Sequence, residues 1–296
     1  MSGVKSRQEK MLIAAAHCVM FVLVILAIAP FWLMVSGSLT DNSTLVKTGY
    51  QFVPAKFSLE AYAYIVREWV QIGNAYFVTV FVTLVGTVIS LIMVSLCGYG
   101  LSQRDVPGLK IVFGLILVTM LFNGGVVSSY IIYSNIFNIK NTIWSLIVPN
   151  LMLNGFNVVL VKNYMTHSLP LELQEAAEID GASPFGIYMR IILPLSKPIL
   201  ATVGLLTAVG YWNDWTNGLY YVTDSKLYSV QLLLNQMNNN VQYLASHSEL
   251  AGAQANVPGT SMRMAIAVVG ILPILILYPF FQKYFEQGIT MGAVKG

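Results

Sequence analysis

From Ile72 to Leu101 the chain carries no Asp, Glu, Lys or Arg. Such a run decides the fold class. Backbone that leaves water must satisfy its own hydrogen bonds, which in hydrocarbon only helices and closed barrels do, and a helix needs about 20 residues to cross. Five further stretches qualify: Leu12 to Val35, Ile111 to Tyr133, Thr142 to Val161, Pro194 to Thr216, and Met264 to Gln282. Lys197 and Asp214 lie near the ends of the fifth, and Pro273 and Pro279 interrupt the sixth. Composition agrees, with 56% hydrophobic and only 10% charged residues in 296, against about 25% charged in a soluble domain. The chain is therefore expected to be all-α, a polytopic membrane protein with six transmembrane helices. Its net charge of +3 comes from scattered residues, with no basic arm for nucleic acid. Cys18 and Cys97 both sit in apolar runs, so neither a disulfide framework nor a zinc site has ligands.

The first span could pass for a signal peptide, since Ala27 and Ala29 form an A-x-A. Apolar residues continue beyond it through Phe31, Trp32, Leu33 and Met34, which favours an uncleaved span. With six spans both termini share a side, and ten Lys and Arg fall on that side against six on the other. The positive-inside rule makes both termini cytoplasmic. The expected organisation is residues 1–71 as tail, first span and outer segment, 72–283 as a five-span core containing a cytoplasmic loop at 162–197, and 284–296 as a cytoplasmic tail. The segments 36–71 and 217–263 face the opposite side.

The loop at 162–197 differs in composition from the others. Pro170 suits a first helical turn, Glu172 to Ile179 are strong helix formers, and Gly181 suits a C-terminal stop, so a short helix is expected. A helix lying on the membrane surface is one reading. Its four acidic residues, Glu172, Glu175, Glu178 and Asp180, argue for a protein partner instead, because helices held by anionic lipid are usually basic.

Here the sequence resembles a family. Glu175-Ala176-Ala177, then Gly181, and after nine residues Ile191, Leu193 and Pro194 reproduce the E-A-A-x-x-x-G and I-x-L-P signature of the membrane subunits of bacterial and archaeal ABC importers. Asp180 and Ala182 resemble the maltose-type carbohydrate branch, and the final Gly-Ala-Val-Lys-Gly is similar to its tails. Asn123-Gly124-Gly125 resembles a Gram-positive oligosaccharide and polysaccharide subgroup. The resemblance implies a type I ABC importer permease in a prokaryotic plasma membrane, with Glu175, Ala176, Ala177, Asp180, Gly181 and Ala182 forming a coupling helix docked on a separate ATPase. Implied partners are a second homologous permease, two ATP-binding cassette subunits that hold ATP and Mg, and an extracellular substrate-binding lipoprotein. Pro194 and Pro198 would start the fifth span sharply, Gln231 to Pro258 would reach toward the binding protein, and Tyr284 to Gly296 would insert between the ATPases unless it is only a frayed end. No G-x-x-x-x-G-K-[ST] occurs in the sequence, so the chain is expected to hold no cofactor and to be no enzyme itself.

Candidate residues for a substrate pathway are the polar ones within or beside spans. Asn150, Asn154 and Asn157 are spaced for one face of a helix, with Asn123 in the third span. Carboxamides match neutral sugar hydroxyls, although hydrogen bonding between helices would use them equally well. Trp212, Asn213, Asp214 and Trp215 at the end of the fifth span offer rings and polar groups for a sugar, or an interfacial anchor. An oligosaccharide is the expected substrate, with a peptide or another polar solute as the alternative. A self-contained secondary transporter would need ion-coupling charges or an inverted repeat, and an intramembrane enzyme a catalytic constellation, none of which is visible.

Overall fold

The computed structural model describes residues 7–103, 106–246 and 259–293, and among them the regular elements are helices throughout, with one isolated bridge between Thr40 and Phe57. They fall into two compact units, residues 1–69 with 236–272, and residues 70–235 with 273–296.

In the first unit, α1 (Arg7–Ser38) exposes apolar side chains along most of its length, Val22, Leu26 and Trp32 among them. A helix apolar all round belongs in lipid or against another apolar surface. Its end is fastened to the outer segment. Trp32 Nε1 donates to Phe52 O at 2.8 Å, Ser36 Oγ to Gln51 O at 2.6 Å, and Ser38 Oγ lies 2.8 Å from the Tyr62 hydroxyl on α3 (Glu60–Arg67). Asp41 caps α2 (Asn42–Thr48), accepting from Ser43 Oγ at 2.6 Å and Thr44 N at 3.2 Å, and those donors hold its carboxyl below the ordinary value.

The second unit is built on α4 (Trp69–Ser102), among the described residues one of two continuous helices that are long and apolar enough to cross a membrane, α1 being the other. Ile72, Ala75, Thr79, Val82, Gly86, Ser90, Val94 and Gly98 form its buried stripe at intervals of three and four. The small members permit close approach. A Cβ on Gly86 would lie 2.5 Å from the Tyr211 ring, and one on Gly98 2.6 Å from Val161. Small residues at such crossings are how helices pack without a hydrophobic drive between them. Phe77, Leu84, Val88 and Ile92 leave the opposite face exposed and apolar.

Two of the expected spans are not single helices. The third divides into α5 (Leu109–Leu121) and α6 (Gly125–Ile131, continued to Ile136 by a π-turn), bent by 119°. The break falls at Asn123-Gly124-Gly125, where Gly125 takes φ +79° and its N–H is capped by Asn123 Oδ1 at 2.9 Å. The fourth divides into α7 (Trp144–Ile147) and α8 (Gly155–His167), separated by extended and turn residues in which Asn150 has φ +63°. Pro149, which has no N–H to continue a helix, begins that break. Irregular backbone at such depth persists only where its polar groups find partners. Here Tyr211 Oη donates to Ile147 O at 2.7 Å, Asn217 Nδ2 to Pro149 O at 3.1 Å, and Ser90 Oγ to Leu151 O at 3.4 Å.

After α8 come α9 (Leu171–Ile179), α10 (Pro184–Ile187), a π-turn over Tyr188–Ile192, α11 (Leu193–Leu195) and α12 (Lys197–Trp212). The stretch from Pro184 to Leu195 meets α12 at 77°. The expected fifth span, Pro194 to Thr216, is therefore bent near its start, with Pro194 and Pro198 in the first turns of the helices on either side of the corner. Then follow α13 (Thr216–Tyr221), α14 (Val230–Ser246) and α15 (Thr260–Ala293). Pro273 and Pro279 do not break α15, so residues 284–293 extend the helix where a separate tail was expected. The final three residues, and 247–258 of the expected docking loop, lie outside the described residues.

Candidate functional site

The acidic loop folds as local chemistry dictates. Pro170, extended at ψ 124°, precedes α9, and Gly181 at φ +79° ends it. The end is a Schellman cap, in which Gly181 N donates to Glu178 O at 3.0 Å and Ala182 N to Ala177 O at 2.9 Å. Ser183 Oγ then accepts from Gly186 N and opens α10. The result is a nine-residue helix closed by hydrogen bonds at its C-terminal end. Glu175, Ala176, Asp180, Gly181 and Ala182 are exposed and Ala177 half-buried. Glu172, Glu175 and Asp180 make no ion pair among the described residues. Ile179 is 86% and Phe185 66% exposed. The helix thus presents exposed apolar side chains beside carboxylates without an ion pair. Sequence reasoning points to the carboxylates and small residues and gives Ile179 only as a helix former, while Phe185, in α10, carries no local signal.

The same loop is tied to the bundle. Gln174 Nε2 donates to Gln103 Oε1 at 2.7 Å, Tyr99 Oη to Pro184 O at 3.1 Å, and Tyr164 Oη to Leu195 O at 3.3 Å, while the Tyr188 hydroxyl lies 2.9 Å from Ser95 Oγ. The Tyr99 and Tyr188 rings stand 5.2 Å apart. Ile187, Tyr188 and Ile192 join Val94, Val161 and Val203 in one buried cluster. The stretch that follows α9, from Pro184 to Leu195, is thus bonded to α4 and α8 and packed with α12 in one cluster. No sequence pattern announces these tyrosines, because their partners lie about as far as 90 residues away.

The substrate-pathway residues separate into two groups. Of the asparagine stripe, only Asn157 is helical. It is buried and donates to Thr207 Oγ1 on α12 at 3.2 Å, while Asn154 caps α8. Asn150 is exposed within the break, so the three carboxamides do not share a helical face. Asn123 is exposed and turns back on its own loop. Asn213 and Asp214 shape the turn from α12 to α13. Asn213 Oδ1 accepts from Gln231 Nε2 at 3.2 Å, and Asp214 Oδ1 from Thr216 N at 3.0 Å and Asn217 N at 3.2 Å. Trp212 is buried and Trp215 is 40% exposed. An aromatic group that the sequence did not disclose joins Tyr130 and Tyr221, stacked at 5.9 Å, with Tyr133 edge-on to Tyr221 and Lys140 Nζ donating to the Tyr130 hydroxyl at 2.8 Å.

Long exposed apolar helices, with an acidic helix fastened to a helical bundle, are the features of a membrane protein. Residues 18–291 match the model of the family described as binding-protein-dependent transport system inner membrane component, and the chain belongs to that family. It is 35% identical over 292 residues, covering 99% of this chain and 100% of the relative, to a polygalacturonan/rhamnogalacturonan transport system permease, YtcP, of Bacillus subtilis. It is 29% identical, covering 92% of both, to an arabinooligosaccharides transport system permease, AraQ, of Halalkalibacterium halodurans. Among solved structures, a chain of a bacterial ABC transporter involved in import of the acidic polysaccharide alginate superimposes with a TM-score of 0.79 at 25% identity, covering 96% of this chain and 100% of that one. The fold is that of a type I ABC importer permease, and the chain is a multi-pass permease subunit of the plasma membrane.

Proposed function

We propose that this chain is one of two homologous permeases in an ATP-driven importer of oligosaccharides, with ATP and Mg held by a pair of separate ATPase subunits and the sugar delivered by an extracellular lipoprotein. In this reading α1, α4, the bent pair α5–α6, the 142–167 segment ending in α8, the corner leading into α12, and α15 supply six spans, and both termini are cytoplasmic. Residues 72–283 are the permease core. At about 1.5 Å per residue the 16 residues of α12 span about 24 Å, close to the hydrocarbon thickness.

The observation that carries the proposal is α9, an exposed helix bearing unpaired carboxylates, whose Gln174 is bonded to Gln103 just beyond α4 and which leads through Gly181 into the 184–195 stretch held by Tyr99 of α4 and Tyr164 of α8. Docked in a groove on an ATPase, it converts closure of the ATPase pair into movement of the helices it is tied to, which is alternating access driven from outside the bundle. The exposed Asn123, Asn150 and Trp215 are the candidates for contact with passing sugar. Asn154, Asn157, Trp212, Asn213 and Asp214 set the walls that hold them. A saccharide is favoured over a peptide by the neutral carboxamides and by the saccharides for which the relatives are named. Purification of the complex through a tag on this chain tests the coupling. Glu175→Lys is expected to lose the ATPase subunits and keep the second permease, because charge reversal opposes a basic groove. Full ATPase retention and uptake in that variant would refute the role of α9.

A further inference from the structure

A largely apolar cleft with two lysines in its lining lies where α4 ends and α5 begins. A cleft of about 660 Å³ is bounded by Gln103, Gly108, Lys110, Phe113, Lys162 and Thr166. Lys110 and Lys162 come from different helices, and neither has an ion pair among the described residues. Lys162 Nζ is held 4.8 Å from the centre of the Phe113 ring, so its charge is fixed rather than free to swing into solvent. The other polar groups are already engaged. Thr166 Oγ1 donates to its own helix at Lys162 O, and Gln103 binds Gln174. Residues 104 and 105, an Arg and an Asp whose formal charges cancel, lie outside the described residues. Immediately beyond the lysines, α5 turns Ile111 and Leu115 outward, 71% and 60% exposed.

A pair of cations at the mouth of a cleft, continuous with exposed apolar helix, is complementary to an anionic headgroup with attached acyl chains. We propose that this cleft binds an anionic phospholipid from the leaflet facing α9, its phosphate between Lys110 and Lys162 and its chains along Ile111 and Leu115. A soluble phosphate would satisfy the lysines but leave the apolar rim uncovered, which favours the lipid. Because Gln103 belongs to both the cleft and the contact with Gln174, bound lipid stiffens the seat of α9. The inference uses the membrane setting given above but not the identity of the transported solute.

The test is lipid retention by the assembled importer purified from bilayers containing phosphatidylglycerol and phosphatidylcholine, read by native mass spectrometry. A lysine near an anionic surface is worth about fivefold in affinity, so Lys110→Gln with Lys162→Gln should lower phosphatidylglycerol retention by about thirtyfold while phosphatidylcholine is unchanged. Lys110→Arg with Lys162→Arg should keep the lipid, which separates lost charge from a damaged fold. Subunit assembly is scored in the same spectra, so failure of the coupling reading would show there and not in lipid retention. Equal retention by wild type and the glutamine variant, loss in the arginine variant, or release of the lipid by inorganic phosphate at millimolar concentration would each overturn the proposal.

Discussion

Tyr211→Phe removes one oxygen and nothing else from the place where the fourth span is broken. Tyr211 is 3% exposed, its hydroxyl donates to Ile147 O at 2.7 Å, and Gly86 lies so close beneath the ring that a Cβ there would be 2.5 Å from it. The phenylalanine ring must therefore stay in place, and no other side chain can follow the lost hydroxyl. Ile147 is 1% exposed, so water does not reach its carbonyl. A buried acceptor left without a donor costs about 1–3 kcal/mol. At about 2–4 °C per kcal/mol, the melting temperature of the detergent-solubilised protein, followed by circular dichroism, should fall by about 5 °C. Transport should fall with it, since the loosened segment contains Asn150. Tyr220→Phe on the exposed side of α13 is the control and should change neither quantity. An unaltered melting temperature for Tyr211→Phe would refute the claim that this bond holds the break closed.

Gly86→Ala gains about 1 kcal/mol of helix propensity but forces the Tyr211 ring aside at a cost of about 1–3 kcal/mol, and a thermal melt should show net destabilisation. Gly181→Ala places a Cβ at φ +79°, costs about 1–2 kcal/mol, and should lower ATP hydrolysis by the complex as the end of α9 frays. Asn157→Leu breaks the bond to Thr207 and should destabilise the bundle by about 1 kcal/mol without altering which sugars compete for uptake. Asp41 has a carboxyl held below the ordinary 3.8 by Ser43 and Thr44. Its contribution is present above that value and disappears as pH falls through the lower folded value, so Asp41→Asn should flatten the acid limb of proteolytic protection in the outer segment. Deleting residues from Gly288 onward should depress transport or ATP hydrolysis at equal abundance, and unchanged transport would refute a role for the end of α15.

What was legible in the sequence was local. Pro170, the helix formers from Glu172 to Ile179, and Gly181 lie within one short stretch, and the structure places α9 at Leu171–Ile179 with Gly181 in the expected stop. The apolar runs were equally plain, because hydrocarbon imposes the same demand on every residue. The broken spans were not. A continuous apolar pattern over 142–161 looks like one helix, and its interruption is tolerated only because Ser90, Tyr211 and Asn217, distant in sequence, supply donors to its carbonyls. The asparagine stripe failed for the same reason, since its spacing has meaning only on an unbroken helix. Tyr99, Gln103 and Tyr188 went unremarked because their roles arise from packing against α9, α10 and α4.

The most direct test of the whole account is uptake of labelled oligosaccharide into proteoliposomes containing this chain alone, or with a second permease, the ATPase pair and the binding lipoprotein. The account predicts accumulation only in the complete set, only with ATP on the side of α9, and its loss in Glu175→Lys. Accumulation by this chain alone, or by the complete set without ATP, would contradict it.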